Sequence, residues 1–213
     1  DTVRHRRPVG RRRDDRLHDH TAKRRHLLRI DRRARCDATV RVAIRRLHEE
    51  PVVLTIGHLD VRDAQSITDF VAAAEACCGH FDVLVNAAGT TAEQPICGHS
   101  DALWQKIIDT NLTGVFYATR AAIPVLRQAG GGWIINISSL SSTGPFPGGA
   151  AYVASKAGVN AFSDALMQEL RGDTIRVATI LPGSVATGFS GREPGSGADW
   201  KLLPEDVARA IVD

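Results

Sequence analysis

From Pro51 onward, short apolar runs alternate with longer amphipathic stretches along the chain. The apolar runs, rich in β-branched residues, predict strands over residues 52–56, 81–86, 133–138 and 175–181. The amphipathic stretches predict helices over residues 63–78, 101–128, 151–170 and 204–212. Continuous apolar strands that alternate with helices are typical of βαβ crossovers. We therefore predict an α/β fold with a doubly wound parallel sheet and helices on both faces.

The first 50 residues do not share this pattern. Arginine-rich stretches such as 4–7 and 11–16 show neither a helical nor a strand period, and the apolar islands at 27–28 and 40–44 are too small to bury a helix face. We therefore predict a poorly ordered segment over residues 1–50 and one folded domain over residues 51–213.

Charge divides the chain at the same place. Residues 1–50 hold 17 Lys and Arg against 8 Asp and Glu, a net of +9, whereas the rest of the chain holds 10 against 16, a net of −6. A basic arm can bind nucleic acid through phosphates, but this segment has no Phe, Tyr or Trp to stack on bases. The His18-Asp19-His20 sequence has no second ligand pair. We therefore expect no specific nucleic-acid binding and no metal site.

Several protein classes are excluded by simple features. The chain has no run of 18 apolar residues for a membrane span, and residues 1–16 contain no apolar segment for a signal peptide. The cysteines have no CxxC spacing, so we expect free thiols in a cytoplasmic protein. They are Cys36, Cys77, Cys78 and Cys97.

A proton-transfer pair lies at the start of a predicted helix. Tyr152 and Lys156 are four residues apart, so both side chains project from one face. A phenol has a pKa of about 10, and a nearby ammonium favours the phenolate and lowers that pKa. A hydroxyl at a strand end, from Ser138 or Ser139, could bond a substrate oxygen. Taken alone, however, a Tyr-x-x-x-Lys pair is also typical of an ordinary surface.

Further motifs resemble the short-chain dehydrogenase/reductase family in order and spacing. The 13-residue step from Ser139 to Tyr152 is usual in that family and selects Ser139 over Ser138. The resemblance runs from about residue 52 to residue 213. The motifs are Asn86-Ala87-Ala88-Gly89, Thr110-Asn111-Leu112, Asn136-Ile137-Ser138-Ser139, Tyr152-Val153-Ala154-Ser155-Lys156 and Pro182-Gly183-Ser184-Val185-Ala186-Thr187.

The resemblance implies a Rossmann-type fold and hydride transfer between NAD or NADP and a small alcohol or ketone. It implies that Tyr152 is the general acid/base and that Lys156 lowers its pKa and holds the nicotinamide ribose. Ser139 would orient the substrate oxygen, and Asn111 would hold a water that links Lys156 to solvent. The implied cofactor contacts are Asp60 and Val61 at the adenine, Asn86, Ala87 and Gly89 beside the sheet, and Pro182, Gly183, Val185 and Thr187 around the nicotinamide.

Some of these residues have structural alternatives. Asn111 could satisfy backbone groups at a break in a long helix, and Thr187 could be an ordinary N-cap. The helix after Lys156 has an apolar stripe wider than one sheet face needs. The resemblance implies that it pairs between subunits of a homodimer or homotetramer, and burial within the monomer is the alternative. The two rows of this stripe are Ala157, Ala161 and Ala165, and Phe162, Leu166 and Leu170.

The chain departs from the family at its front end. The family has a Thr-Gly-x-x-x-Gly-x-Gly turn that lets the backbone approach the pyrophosphate, but arginines 11–13 follow Gly10 here. If the arginines of residues 5–12 use CGN codons, translation one nucleotide later permits Thr-Gly-Gly-Arg-Ser-Gly-Val-Gly. Residues 32–33 likewise permit Asp where an acid would meet the ribose.

We therefore hypothesise that residues 1 to about 50 are an out-of-frame translation of the first βαβ unit. The encoding nucleotide sequence tests this, because a shifted frame without the glycine motif would exclude it. The family also continues past the helix at 204–212 into a last strand, so we expect that strand to be missing. The alternative function is a catalytically dead scaffold that binds no dinucleotide. The substrate, and the choice between NAD and NADP, cannot be predicted from this sequence.

Overall fold

The computed structural model describes residues 26–31, 39–46, 54–189 and 200–212. Six strands form one sheet. They are β1 (His26–Asp31), β2 (Thr39–Arg46), β3 (Leu54–Asp60), β4 (Val83–Asn86), β5 (Gly132–Ile137) and β6 (Ile175–Ile180). The α-helices are α1 (Ala64–Cys78), α2 (Asp101–Ile108), α3 (Gly114–Gln128), α4 (Ala150–Glu169) and α5 (Pro204–Val212).

The strand order is β3-β2-β1-β4-β5-β6, the order of a Rossmann-type sheet. Strands β1, β4, β5 and β6 pair in parallel, whereas β2 pairs antiparallel with both β1 and β3. Five strands therefore run in one direction and β2 runs against them. The Rossmann-type prediction is confirmed, with one reversed strand.

The reversal of β2 follows from the length of its connections. Residues 32–38 lie between β1 and β2, and residues 47–53 lie between β2 and β3. A parallel crossover needs roughly a dozen residues or more, usually with a helix. Neither connection is long enough, so antiparallel pairing replaces the first βαβ unit of the fold.

Two strands, β1 and β2, lie within residues 1–50, the segment that we predict to be poorly ordered. The missed signal is a period of two in β2, where Val40, Val42 and Ile44 alternate with residues that include Arg41 and Arg45. A search for a helix face overlooks such a short alternation. The remaining predictions for this segment, at residues 5–12, 18–20 and 32–33, lie outside the described residues.

The predicted long helix over residues 101–128 is continuous but changes its winding in the middle. The side chain of Ser100 caps α2 by accepting from the Leu103 amide. A π-helical turn, Asp109–Thr113, then joins α2 to α3. Such turns in α-helices frequently accompany functional sites. This one contains Asn111, which is fully buried.

Apolar side chains cover both faces of the sheet. Leu84, Ile134 and Ile175 pack in one cluster with residues of α1, α3 and α4. Val83, Val85 and Ile135 form a second cluster, which Ile211 of α5 joins. Neighbouring residues of β4 pack into clusters on opposite faces of the sheet. The whole strand is therefore buried, as its continuous apolar run predicts. No helix within the described part of the chain is long and apolar enough to cross a membrane.

We predict that Gly131→Ala destabilises the fold. Gly131 connects α3 to β5 with φ +117°, and a Cβ there would lie 2.5 Å from the Thr174 carbonyl oxygen. The strained backbone and the clash together should cost about 3 kcal/mol. Gly130→Ala is the control, because its φ is +82° but no atom lies within 4 Å of the added Cβ. Urea unfolding that gives equal losses for both variants would contradict this account.

Candidate active site

The loops that follow β4, β5 and β6 surround one cavity of about 600 Å³. This is the position that the strand pattern predicts, because these carboxyl ends lie at one edge of the sheet. Helix α5 contributes a further wall through Val207 and Ile211. The predicted site residues that line the cavity are Ala87, Ser139, Tyr152, Pro182, Gly183, Val185 and Thr187.

Tyr152 lies in the first turn of α4, with 9% of its surface exposed. Its ring has aromatic neighbours, with centroid distances of 6.5 Å to Phe146 and 6.1 Å to Phe189. Gly149 makes the Phe146 position possible, because a Cβ there would lie 2.6 Å from that ring. The phenol is therefore held by ring packing inside the cavity wall.

Lys156 follows Tyr152 by one helical turn and is 5% exposed. Its Nζ donates a 2.7 Å hydrogen bond to the carbonyl oxygen of Ile137, the last residue of β5. Nζ also lies 6.0 Å from the centroid of the Tyr152 ring. Burying an ammonium is costly unless it is hydrogen-bonded. The strand end therefore fixes a positive charge beside the phenol.

Asn111 connects three segments of the site. Its Oδ1 accepts from the Thr90 amide at 2.8 Å, and its Nδ2 donates to the Thr90 carbonyl and to Ser155 Oγ at 2.9 Å each. Gly89 is adjacent, because a Cβ there would lie 3.6 Å from Asn111 Oδ1 and 3.8 Å from Lys156 Nζ. The predicted residues Asn111, Lys156 and Gly89 therefore lie together. The backbone that Asn111 satisfies belongs to the loop after β4.

The two candidate hydroxyls after β5 have different surroundings. Ser138 Oγ donates to the main-chain carbonyl of Lys156 at 3.1 Å. Ser139 Oγ accepts from the amide of Ser141 at 3.1 Å, at the start of a 3₁₀ turn, Leu140–Ser142. Both residues are buried and line the cavity. Because the Ser138 proton is engaged with α4, Ser139 is the better donor toward the cavity.

The loop after β6 is held by main-chain bonds. Val185 and Leu202 form a parallel bridge, and the Leu140 amide donates to the Pro182 carbonyl at 3.0 Å. Thr187 Oγ1 accepts from the Phe189 amide at 3.4 Å, an N-cap-like contact. The predicted nicotinamide segment therefore forms an ordered wall of the cavity.

Besides Gly89 and Lys156, three predicted cofactor residues do not line this cavity. Asn86 is 4% exposed, and its Nδ2 donates to Asn136 Oδ1 at 2.8 Å and to Thr119 Oγ1 at 3.3 Å. Asp60 and Val61 lie at the end of β3, where Val61 packs against Gly114. Asn86 is thus part of a buried polar network, and the other two lie at a neighbouring strand end.

Sequence reasoning missed several cavity residues. Phe146 and Phe189 flank Tyr152, and Leu140 contributes an apolar wall near Gly183. Glu93 and Lys201 place charged side chains on the lining. None of them has a local pattern that would distinguish it from a loop residue. The one available signal was position, since Phe146 and Leu140 lie between the Ser139 and Tyr152 motifs.

The cavity fits the nicotinamide end of a dinucleotide. It combines an apolar wall at Pro182 and Val185 with a polar residue, Thr187. Outside this lining, the Lys156 ammonium would lie 3.8 Å from a Cβ at Gly89. The segment predicted to hold the pyrophosphate, residues 5–12, is outside the described ranges. Among the residues that the structure describes, no group of three or more His, Cys, Asp or Glu could hold a metal.

A pH-dependent contribution is expected from Asp60. Its carboxylate accepts from the Arg62 guanidinium at 2.8 Å and 3.1 Å, and these bonds hold the pKa of Asp60 below its usual value. A lowered folded-state pKa stabilises the fold above the unfolded pKa of about 3.9, and this contribution is lost as pH falls through the folded pKa.

We therefore predict that Asp60→Asn lowers the free energy of unfolding at pH 7 by less than about 1 kcal/mol, because both side chains are partly exposed. The difference in the free energy of unfolding between Asp60→Asn and the unmodified chain should become smaller below about pH 4. Urea unfolding at several pH values measures it. A difference that grows as the pH falls would contradict the assigned ion pair.

Comparison with known proteins places this geometry in a family. The family model described as short chain dehydrogenase matches residues 23–194. This match begins before residue 52, so the similarity extends further toward the N-terminus than the motifs indicated. It includes β1 and β2.

Individual relatives agree. The NADP-dependent 3-hydroxy acid dehydrogenase YdfG of Shigella flexneri is 37% identical over 169 residues, covering 74% of this chain and 68% of the relative. An uncharacterized oxidoreductase of Staphylococcus saprophyticus is 33% identical over 171 residues, covering 80% of this chain and 73% of the relative.

A solved structure is also similar. The alcohol dehydrogenase of the archaeon Thermococcus sibiricus, complexed with 5-hydroxy-NADP, superimposes with a TM-score of 0.68 at 29% identity. The superposition covers 73% of this chain, which spans 65% of that chain. The matched family model, the relatives and the fold agree, and this chain belongs to the short chain dehydrogenase family, whose oxidoreductases use NAD or NADP.

Proposed function

We propose that this chain is an oxidoreductase that transfers a hydride between NADP(H) and an alcohol or carbonyl substrate. The observation that carries the proposal is that Tyr152 and Ser139 line one cavity, with the Lys156 ammonium 6.0 Å from the centre of the Tyr152 ring. Such a grouping supplies a proton donor, a fixed positive charge and a hydrogen-bond donor for one substrate oxygen. The bound nicotinamide supplies or accepts the hydride.

Each side chain then has a distinct task. In the reducing direction Tyr152 donates its proton to the carbonyl oxygen, and Ser139 orients that oxygen by a hydrogen bond. Lys156 stabilises the phenolate that remains, because its buried charge is only weakly screened. In the oxidising direction Tyr152 takes the proton from the alcohol.

Asn111 can hold the water through which Tyr152 regains the proton that it donates. Both hydrogens of its Nδ2 are engaged, by Thr90 and Ser155, and its Oδ1 accepts one bond from Thr90. An amide oxygen accepts two bonds. We therefore assign the water to the second acceptor position of Oδ1, on the side of Gly89 and Lys156.

NADP is the cofactor that the similar proteins support. The Shigella relative is named as NADP-dependent, and the Thermococcus structure holds 5-hydroxy-NADP. For the substrate, the names of these two proteins support a 3-hydroxy acid or another small alcohol and its ketone. Parallel assays with NADH and NADPH discriminate between the two cofactors.

The alternative is a catalytically dead scaffold. It is favoured by one sequence observation, the lack of a Thr-Gly-x-x-x-Gly-x-Gly turn, and by one structural observation, the reversed β2. Both features concern the half of the fold that holds the pyrophosphate and adenosine. A scaffold would keep Tyr152 and Lys156 but would not bind the dinucleotide.

Turnover distinguishes the two functions. We expect NADPH absorbance at 340 nm to fall when the chain is mixed with ethyl acetoacetate, a 3-oxo ester, or with a panel of small ketones. The substrate-free mixture is the control. Saturable NADPH binding without turnover of any ketone would contradict the oxidoreductase, and the absence of binding would favour the scaffold.

We also propose a homodimer or homotetramer in the cytoplasm. Leu166 and Leu170 are buried in the monomer core, whereas Ala161 and Ala165 of the neighbouring row are exposed and leave a face for a second subunit. Cys97 is an exposed free thiol, which suits a reducing compartment. Sedimentation equilibrium measures the subunit number directly, and a monomer at micromolar concentration would contradict this assembly.

A further inference from the structure

A third polar residue shares the helix row of Tyr152 and Lys156. Asn160 follows Lys156 by four residues on α4, so the three positions lie along one face at successive turns. Asn160 lies about 12 Å along the helix axis from Tyr152, given a rise of about 1.5 Å per residue. The roles proposed above for Tyr152, Lys156, Ser139 and Asn111 do not use this residue.

Asn160 is bonded to the turn that carries Ser139. Its Nδ2 donates to Ser142 Oγ at 2.8 Å. Ser142 Oγ in turn donates to the Ser139 carbonyl at 2.6 Å, and the Ser142 amide donates to the same carbonyl at 3.0 Å. The Ser141 amide donates to Ser139 Oγ. Both the carbonyl and the hydroxyl of Ser139 are therefore held by a turn that Asn160 ties to α4.

The oxygen of the Asn160 side-chain amide does not hold this turn. Its Oδ1 is buried and has no hydrogen-bond partner among the described residues. A buried acceptor without a partner costs about 1–3 kcal/mol. An apolar side chain of similar size would avoid that cost. The stability of the fold therefore does not explain an asparagine here, whereas its bond to Ser142 does.

We propose that Asn160 and Ser142 are positioning residues that set the Ser139 hydroxyl relative to the Tyr152 phenol. This inference rests on the proposed oxidoreductase function. The helix that carries the proton donor is tied to the turn that carries the oxygen-orienting hydroxyl, so the two groups keep one separation. Correct placement of reacting groups accounts for a large share of catalytic rates.

We call the hydrogen bond from Asn160 to Ser142 the clamp. Asn160→Leu tests it by separating its effect on activity from its effect on stability. We expect kcat with NADPH and ethyl acetoacetate to fall about 10-fold, with the KM for NADPH within about 2-fold and a melting temperature equal to or above that of the unmodified chain. In a Ser139→Ala background, Asn160→Leu should cause no further loss of kcat. Gln168→Leu, at an exposed position of the same helix, is the matched control.

Hydrogen exchange of the ligand-free protein gives a second, activity-independent test. We expect Asn160→Leu and Ser142→Ala to accelerate amide exchange in the peptide spanning residues 139–144, with no change in peptides of β5. Unchanged exchange in that peptide, or a further kcat loss in the Ser139→Ala background, would overturn the clamp. If the unmodified chain turns over no ketone, the proposed function fails, and the exchange rates alone decide whether Asn160 holds the turn.

Discussion

Tyr152→Phe is expected to lower kcat by at least about 1,000-fold while leaving NADPH affinity within about 2-fold. The substitution removes the phenolic hydroxyl, whereas the ring keeps its packing against Phe146 and Phe189. Without that hydroxyl the substrate oxygen has no acid in reduction and no base in oxidation. Steady-state kinetics and NADPH fluorescence titration measure the two effects separately.

The matched control for this variant is Tyr117→Phe. Tyr117 lies on α3 and is not among the residues that line the cavity. Its variant should keep the turnover and the melting temperature of the unmodified chain. A Tyr152→Phe variant with near-normal kcat would remove Tyr152 from the chemistry and leave the cavity without its proton donor.

Lys156→Met should have the second largest effect, because it removes a buried charge while keeping a side chain of similar length. The loss of the ammonium withdraws the positive charge beside the phenol and leaves the Ile137 carbonyl without its 2.7 Å bond. We expect kcat to fall about 100-fold or more. The Kd for NADPH should rise about 10-fold, since the ammonium that we expect to hold the nicotinamide ribose is lost.

Lys106→Met provides the charge-matched control, because Lys106 lies on α2 and does not line the cavity. A general electrostatic effect of the net charge would lower kcat in both variants to a similar extent. If Lys156 acts at the phenol, kcat falls only for Lys156→Met. Equal losses would contradict a role for Lys156 at the phenol.

The part of the fold after residue 51 was predictable because its pattern is local. Apolar runs mark β4, β5 and β6 within a few residues, and the capping Asp63 and terminal Gly79 bound α1. The pair Tyr152 and Lys156 was predictable for the same reason, since a four-residue spacing on a helix fixes a common face. The cavity that Tyr152 lines, between three loops, also followed from the rule for carboxyl ends of parallel strands.

The rest depends on contacts between distant segments. The antiparallel partners of β2, which are β1 and β3, are defined only once the sheet is assembled. Phe146 and Phe189 reach Tyr152 from loops on either side of α4. The Asn160 amide has a role only once Ser142 is placed beside it. Such neighbours are set by the packing of the whole domain and leave no period in the sequence.

The most direct test of the account is the transfer of an isotopic label. NADPH carrying deuterium on the nicotinamide C4 is incubated with the chain and ethyl acetoacetate, and the product is analysed by mass spectrometry. We predict one deuterium on the carbinol carbon of the product, and its loss in the Tyr152→Phe variant. If the unmodified chain transfers deuterium neither to this ketone nor to any other ketone of the panel, the result would contradict the oxidoreductase and support the scaffold.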